Sequence, residues 1–389
     1  MKTILICPQG TDKEEAVGLV KAIDLEIEDV LTPNVKEVRP ATYFSKYVLD
    51  KIKEYEADLL IVDINLTPVQ QRNLEKELDL KVIDRTALIL EIFGQRAQTK
   101  EGVLQVELAH LTYQRSRLVR SWTHLERQRG GAGFLGGPGE RQIELDRRII
   151  DDKIVKIKKE LEKVKKTRGL QRGARKKVPY PIIALVGYTN AGKSTLFNYL
   201  TNSEVFAQDL LFATLDTTHR KIRLPSHKEV IISDTVGFIS NLPHELIMSF
   251  RATLEEVLEA DVVVHVRDIS NPENKKQKQD VLSVLKDLGF EDERKYIEVL
   301  NKVDLIDSRP RGLTMSAVTG EGMDKFLQEV NKKLAKGEKT KTIKVDITDG
   351  KKIAWIYKNS DVIKETHTED KITFKVSISE EKLGVFNQL

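Results

Sequence analysis

A chain of 389 residues, 40% hydrophobic and 32% charged, is long enough for two to four domains, each with its own core. Its one cysteine, Cys7, excludes an internal disulfide framework and reads as an apolar filler of the first strand in a reducing compartment. No apolar run approaches eighteen residues, Met1–Cys7 is too short for a signal peptide, and Asp12, Glu14 and Glu15 argue against a transit peptide. A cytoplasmic protein without a membrane span is expected. The net charge of +4 divides unevenly. Residues 115–177 hold 20 Lys and Arg against 8 Asp and Glu, a balance of +12, and the rest of the chain holds 44 against 52, a balance of −8. Basic charge concentrated in this way is the electrostatic footprint of a polyanion binder.

Residues 1–95 predict a small α/β domain. Thr3–Cys7 reads as a strand, Glu14–Ala22 and Ser45–Tyr55 as helices, Ala57–Asp63 as a strand, Pro68–Leu78 as a helix opened by proline, and Lys81–Asp84 as a final strand. Asp63 and Asp84 close two of these strands and read as helix-capping carboxylates.

Residues 96–178 predict a long antiparallel helical hairpin. Leu104, Leu108, Leu111, Leu118, Trp122 and Leu125 mark one stripe, and Ile150, Ile154, Ile157, Leu161 and Val164 mark a heptad seam on the other arm. Between the arms lies Gly130-Gly131-Ala132-Gly133-Phe134-Leu135-Gly136-Gly137-Pro138-Gly139, with six glycines in ten residues. Joining two helices needs only about two to five residues, so the excess length points to a binding role. Arg127, Arg129, Arg141, Arg147 and Arg148 flank it. The stretch 168–178 is a basic linker.

Residues 179–336 carry the chemistry. Ile182–Val186 is a buried strand, and Gly187-Tyr188-Thr189-Asn190-Ala191-Gly192-Lys193-Ser194 after it spells G-x-x-x-x-G-K-[ST], followed by a helical pattern from Thr195. Glycines let backbone amides wrap a phosphate, Lys193 would reach the β and γ phosphates, and the Ser194 hydroxyl would bind Mg²⁺. Strands are expected at 182–187, 229–233, 261–266 and 296–300, giving a doubly wound sheet. Asp234-Thr235-Val236-Gly237 follows the second of these, so Asp234 would hold Mg²⁺ through water and the Gly237 amide would sense the γ-phosphate. Phe212-Ala213-Thr214-Leu215-Asp216 is read as the first switch, with Thr214 completing the Mg²⁺ shell and Thr217 and Thr218 as rivals. Phe238 occupies the position of a water-orienting glutamine, and a phenyl ring cannot orient water by hydrogen bonding, so intrinsic turnover should be slow. Asn301-Lys302-Val303-Asp304 stands at a strand's carboxyl edge and selects guanine. The Asp304 carboxylate accepts from N1–H and the exocyclic amine, Lys302 covers the base plane, and Ser316-Ala317 offers an amide to the guanine oxygen. Asn190 is a candidate ligand for K⁺ beside the phosphates. Residues 340–389 form a small C-terminal α/β domain, with strands at Thr342–Ile347 and Ile372–Ile378 and a helix near Lys351–Tyr357.

These motifs resemble the HflX-type, ribosome-associated GTPases of the translation-factor-related class. The resemblance rests on Asp84-Arg85-Thr86, Ile92-Phe93-Gly94-Gln95-Arg96-Ala97, Gln105-Val106-Glu107-Leu108-Ala109, the glycine loop, the P-loop, Phe212–Asp216 and Asp234–Phe238. It implies GTP hydrolysis to GDP stimulated by the large ribosomal subunit, splitting or rescue of stalled ribosomes, and a glycine loop probing near the peptidyl transferase centre. The ribosomal RNA contacts would fall on Arg127, Arg129, Gly130, Gly131, Gly133, Phe134, Gly136, Gly137, Gly139 and Arg141. The chain is expected to be a monomer when free. A rival reading, of a different class, is an RNA-binding assembly scaffold that GTP merely locks.

Overall fold

The computed structural model describes the chain except residues 123–137, 176–179, 203–210, 213, 216, 227, 241–255, 291, 336–337, 369 and 388–389. The chain divides into two compact units. One comprises Met1–Lys177 with Gln208–Asp216 and Ile239–Thr253, the other Val178–Ala207, Thr217–Phe238 and Leu254–Leu389.

In the first unit, β1 (Lys2–Ile6), β2 (Glu26–Leu31), β3 (Leu59–Val62) and β4 (Lys81–Asp84) form a parallel sheet in the order β2-β1-β3-β4. Every residue of β3 is buried, as crossover helices covering both faces demand. The crossovers are α1 (Lys13–Lys21), α2 (Lys46–Ile52) and α3 (Pro68–Leu78). The last begins with a capping box in which Thr67 and Gln70 satisfy each other's backbone amides, ahead of Pro68. Asp84 caps α4 (Arg85–Arg96) by accepting from Ala87 N–H, as expected of a strand-end carboxylate. Asp63 caps nothing; its carboxylate binds the Arg85 guanidinium, correcting the sequence reading.

The carboxyl edge of this sheet is filled by charge. Arg85, 3% exposed, pairs with Asp63 from β3 and Glu15 from α1. It also donates to Ser240, to the carbonyl oxygen at 3.1 Å and to Oγ at 3.0 Å, and the Ser240 hydroxyl donates to Glu15 at 2.6 Å. Burial outweighs the attraction of Arg85 and raises Asp63 to about 6. Burial also pushes the Cys7 thiol up to about 12, an inert filler. Nearby in the same unit, Phe212 lies edge-on to Phe93, ring centroids 4.6 Å apart.

Helices α5 (Lys100–Trp122) and α6 (Pro138–Arg175) form the hairpin. Leu104, Leu111, Ile154 and Ile157 bury its seam, with Leu108, Ile150, Leu161 and Val164 packed alongside. In the second half of α5, Tyr113 and Arg117 both reach the Asp84 carboxylate. The loop residues expected to touch the ribosome, with Arg127, Arg129 and Arg141, lie outside the residues whose side chains are described.

The second unit holds a five-stranded sheet of β5 (Ile182–Val186), β6 (Thr218–Arg223), β7 (Glu229–Asp234), β8 (Val262–Asp268) and β9 (Tyr296–Asn301), ordered β6-β7-β5-β8-β9. All pairs are parallel except β6 with β7. Leu185, Val230, Val264, Val266 and Val299 are fully buried beneath Leu196 and Phe197 of α7 (Lys193–Thr201) and Phe326 of the helix Met323–Leu334. Each such apolar side chain contributes about 1.5–3 kcal/mol on burial. The C-terminal part is an antiparallel sheet, β10 (Glu338–Asp346), β12 (Lys371–Ser379) and β11 (Asp361–His367), with helices Gly350–Asn359 and Glu380–Phe386 closing a core around Ile356 and Phe374.

Candidate active site

The site is assembled at the carboxyl ends of β5, β7, β8 and β9, where open parallel sheets bind ligands. The chain leaves β5 at Gly187, turns through Asn190 in the left-handed region (φ 57°), and enters α7 after Gly192 (φ 90°). A Cβ at Gly192 would lie 2.3 Å from Asn301 Nδ2, so only glycine lets the loop touch that side chain. Asn301 fixes the contact from both ends. Its amide donates to the Ala191 carbonyl at 2.8 Å, and its Oδ1 accepts from Ala317 N–H at 2.9 Å. The Ala317 amide, expected to face a guanine oxygen, is thus engaged with Asn301.

Lys193 is buried, and its ammonium donates to the carbonyls of Gly187 at 3.1 Å and Tyr188 at 2.8 Å. Burial lowers its pKa to about 8 against the attraction of Asp234. Ser194 donates its hydroxyl to Asp234 Oδ2 at 2.7 Å, which sets two hard oxygen donors side by side, the type that Mg²⁺ takes. Among the described residues no cluster of three or more His, Cys, Asp or Glu could hold a metal alone.

The loop after β7 is sewn to the P-loop by backbone. Thr189 N–H donates to the Phe238 carbonyl at 2.7 Å, and Phe238 N–H to the Gly187 carbonyl at 3.1 Å. Gly237 sits where a Cβ would meet Thr189 Cγ2 at 2.8 Å and Lys193 Nζ at 3.1 Å, so the absence of a side chain lets this loop pack against the P-loop. Phe238 is buried and offers only its backbone. Asp304 is exposed in the middle of the short 3-10 turn Val303–Leu305, and Lys302 pairs with Asp268.

The structure therefore brings together Gly187–Ser194, Asp234, Gly237, Asn301 and Ala317. Phe212 and Thr214 belong to the other unit, and Thr217 and Thr218 stand at the start of β6. Sequence reasoning missed Asp268 and the Arg85 cluster, whose members are far apart in the chain.

A Gly-x-x-x-x-Gly-Lys-Ser loop, a carboxylate bonded to its serine and an Asn-Lys-x-Asp turn at the carboxyl edge of one mixed sheet are the features of a P-loop GTPase. Comparison with known proteins narrows the class. The chain matches family profiles described as GTP-binding GTPase N-terminal over residues 11–94 and middle region over 96–175. Further matches are 50S ribosome-binding GTPase over 182–302 and HflX C-terminal domain over 302–386. It is 47% identical over 384 residues to GTPase HflX of Magnetococcus marinus, covering 95% of this chain and 89% of that one. It is 40% identical to GTPase HflX of Escherichia coli, covering 92% and 87%. A solved structure of SsGBP in complex with GDP superposes with a TM-score of 0.51 at 25% identity, covering 86% of this chain and 99% of that one. The chain belongs to the HflX family of GTPases and hydrolyses GTP.

Proposed function

We propose that this GTPase couples its nucleotide state to binding of the large ribosomal subunit and thereby splits or rescues stalled ribosomes. The observation that carries the reading is the charge of the hairpin, 20 basic against 8 acidic residues over 115–177 in a chain that also bears the GTPase site. Lysines and arginines there would neutralise RNA phosphates and release counterions.

At the site, Lys193 would leave the carbonyls of Gly187 and Tyr188 for the β and γ phosphates, joined by the P-loop amides from Gly187 to Thr195. Ser194 and Asp234 would hold Mg²⁺, with Thr214 of the first switch as a further ligand and Phe212 beside it in sequence. The ion supplies positive charge against the phosphates. Asp304 would read guanine, Lys302 would cover its plane, and Ser316 with Ala317 would border it. Phe238 gives no hydrogen bond to an attacking water, so basal turnover is slow and a partner completes the site. Asn190, held left-handed in the loop, would bring K⁺ to the phosphates; faster turnover in K⁺ than in Na⁺ at equal ionic strength would show it. The protein acts in the cytoplasm, as a monomer when off the ribosome.

Co-sedimentation with purified large subunits tests the reading. Retention is expected to be strong with a non-hydrolysable GTP analogue, weak with GDP, and steeply reduced by salt. Retention that ignores the nucleotide would refute the coupling.

A further inference from the structure

Lys302 lies at the carboxyl end of β9 with its backbone left-handed (φ 65°), and its ammonium is 2.7 Å from Asp268 Oδ2. Asp268 is the last residue of β8, and the parallel register sets it opposite Asn301. Its other oxygen is also committed. Oδ1 accepts from the Ser270 backbone N–H at 2.9 Å and from the Ser270 hydroxyl at 2.6 Å. The carboxylate is therefore oriented by the turn that follows β8, and it presents one oxygen to Lys302. The side chains are 13% and 23% exposed, so this is no freely solvated surface pair.

A lysine stem has several rotatable bonds, and an unrestrained one must lose that freedom when a ligand arrives. Anchored at its tip by Asp268, the stem loses it on folding instead. We propose that Asp268 is a positioning residue for guanine-nucleotide binding: it holds Lys302 extended along the edge of β8 and β9, where the lysine covers the base. The proposal rests on the assignment of Lys302 to the base site. Asp268 itself touches neither base nor phosphate, and it favours GTP and GDP alike because it acts on the part of the site they share.

The test uses the full chain, with fluorescent GDP and GTP analogues as probes and the variants Asp268→Asn, Lys302→Met and their combination. Asp268→Asn is expected to weaken both nucleotides equally, by roughly tenfold. KM should rise in step while kcat stays within about twofold, since the phosphates are untouched. The double variant should bind no more weakly than Lys302→Met alone, because removing the lysine removes what Asp268 positions. A merely structural carboxylate would give additive losses and a lower unfolding midpoint. Unchanged or tighter binding by Asp268→Asn, or additive losses in the double variant, would overturn the proposal. If Lys302→Met binds normally, the base-site assignment fails first, an outcome the single variants tell apart.

Discussion

Two parallel sheets in this chain end in the same kind of place and do opposite things with it. At the carboxyl edge of β1 and β3, the space is filled by the protein's own Arg85, Glu15 and Asp63, a closed cluster that also binds Ser240. At the carboxyl edge of β5, β7 and β9, the space is framed by glycines and backbone amides, and the buried cation there, Lys193, gives its hydrogen bonds to the carbonyls of Gly187 and Tyr188 while Asp234 attracts it. Topology offers a crevice in both cases; the side chains decide whether it is plugged or left for a ligand. A cation matched by two carboxylates has no call for an anion, whereas phosphates would stabilise the charged form of Lys193, whose pKa burial lowers to about 8.

Removing the cation should separate the two edges. Lys193→Ala should cost about 10²–10³ in GTP turnover, the usual effect of losing one preorganised electrostatic donor, with an unfolding midpoint close to that of the parent. Arg85→Ala should do the reverse to stability. It strands two buried carboxylates and should cost about 3–5 kcal/mol in urea unfolding, while replacing all three charges with Arg85→Met, Glu15→Leu and Asp63→Leu should come close to neutral. If Arg85→Ala is harmless, the first edge is not the closed cluster described.

Proton linkage sharpens the contrast further. Bound phosphates are expected to keep Lys193 charged, while the free protein loses that proton as pH rises through about 8. Binding above pH 8 therefore takes up a proton, and affinity for a GTP analogue should fall by up to about tenfold per pH unit there, with no such slope from this group below. A titration of affinity from pH 7 to 9.5 checks the sign, and a flat profile would mean Lys193 is already fully charged in the free site.

Legibility in the sequence followed locality. The P-loop could be read because its eight residues are contiguous, and Ile182–Val186 before it is apolar throughout. The strand Thr218–Arg223 could not, because it reads Thr-His-Arg-Lys-Ile-Arg and buries only Ile222; antiparallel pairing with β7 makes it a strand. Glu26–Leu31 was hidden in the same way by alternating acids at a sheet edge. Asp63 looked like a cap because its partner Arg85 is 22 residues on and Glu15 a further 48 residues before it. No local pattern joins residues at that distance. The pair of Asp268 with Lys302 escaped for the same reason, although each stands at a strand end the sequence did reveal.

On the proposed function, the open edge is finished by a ribosome. Phe238 is buried and gives no side-chain help to water, so the free chain should turn GTP over slowly. The direct measurement is steady-state GTP hydrolysis by the full chain with and without purified large ribosomal subunits. A rise of at least about tenfold with subunits is expected, in line with sites completed by a partner, and loss of that rise in Lys193→Ala. Equal rates with and without subunits would contradict it and leave the basic hairpin as the arm of a GTP-locked scaffold.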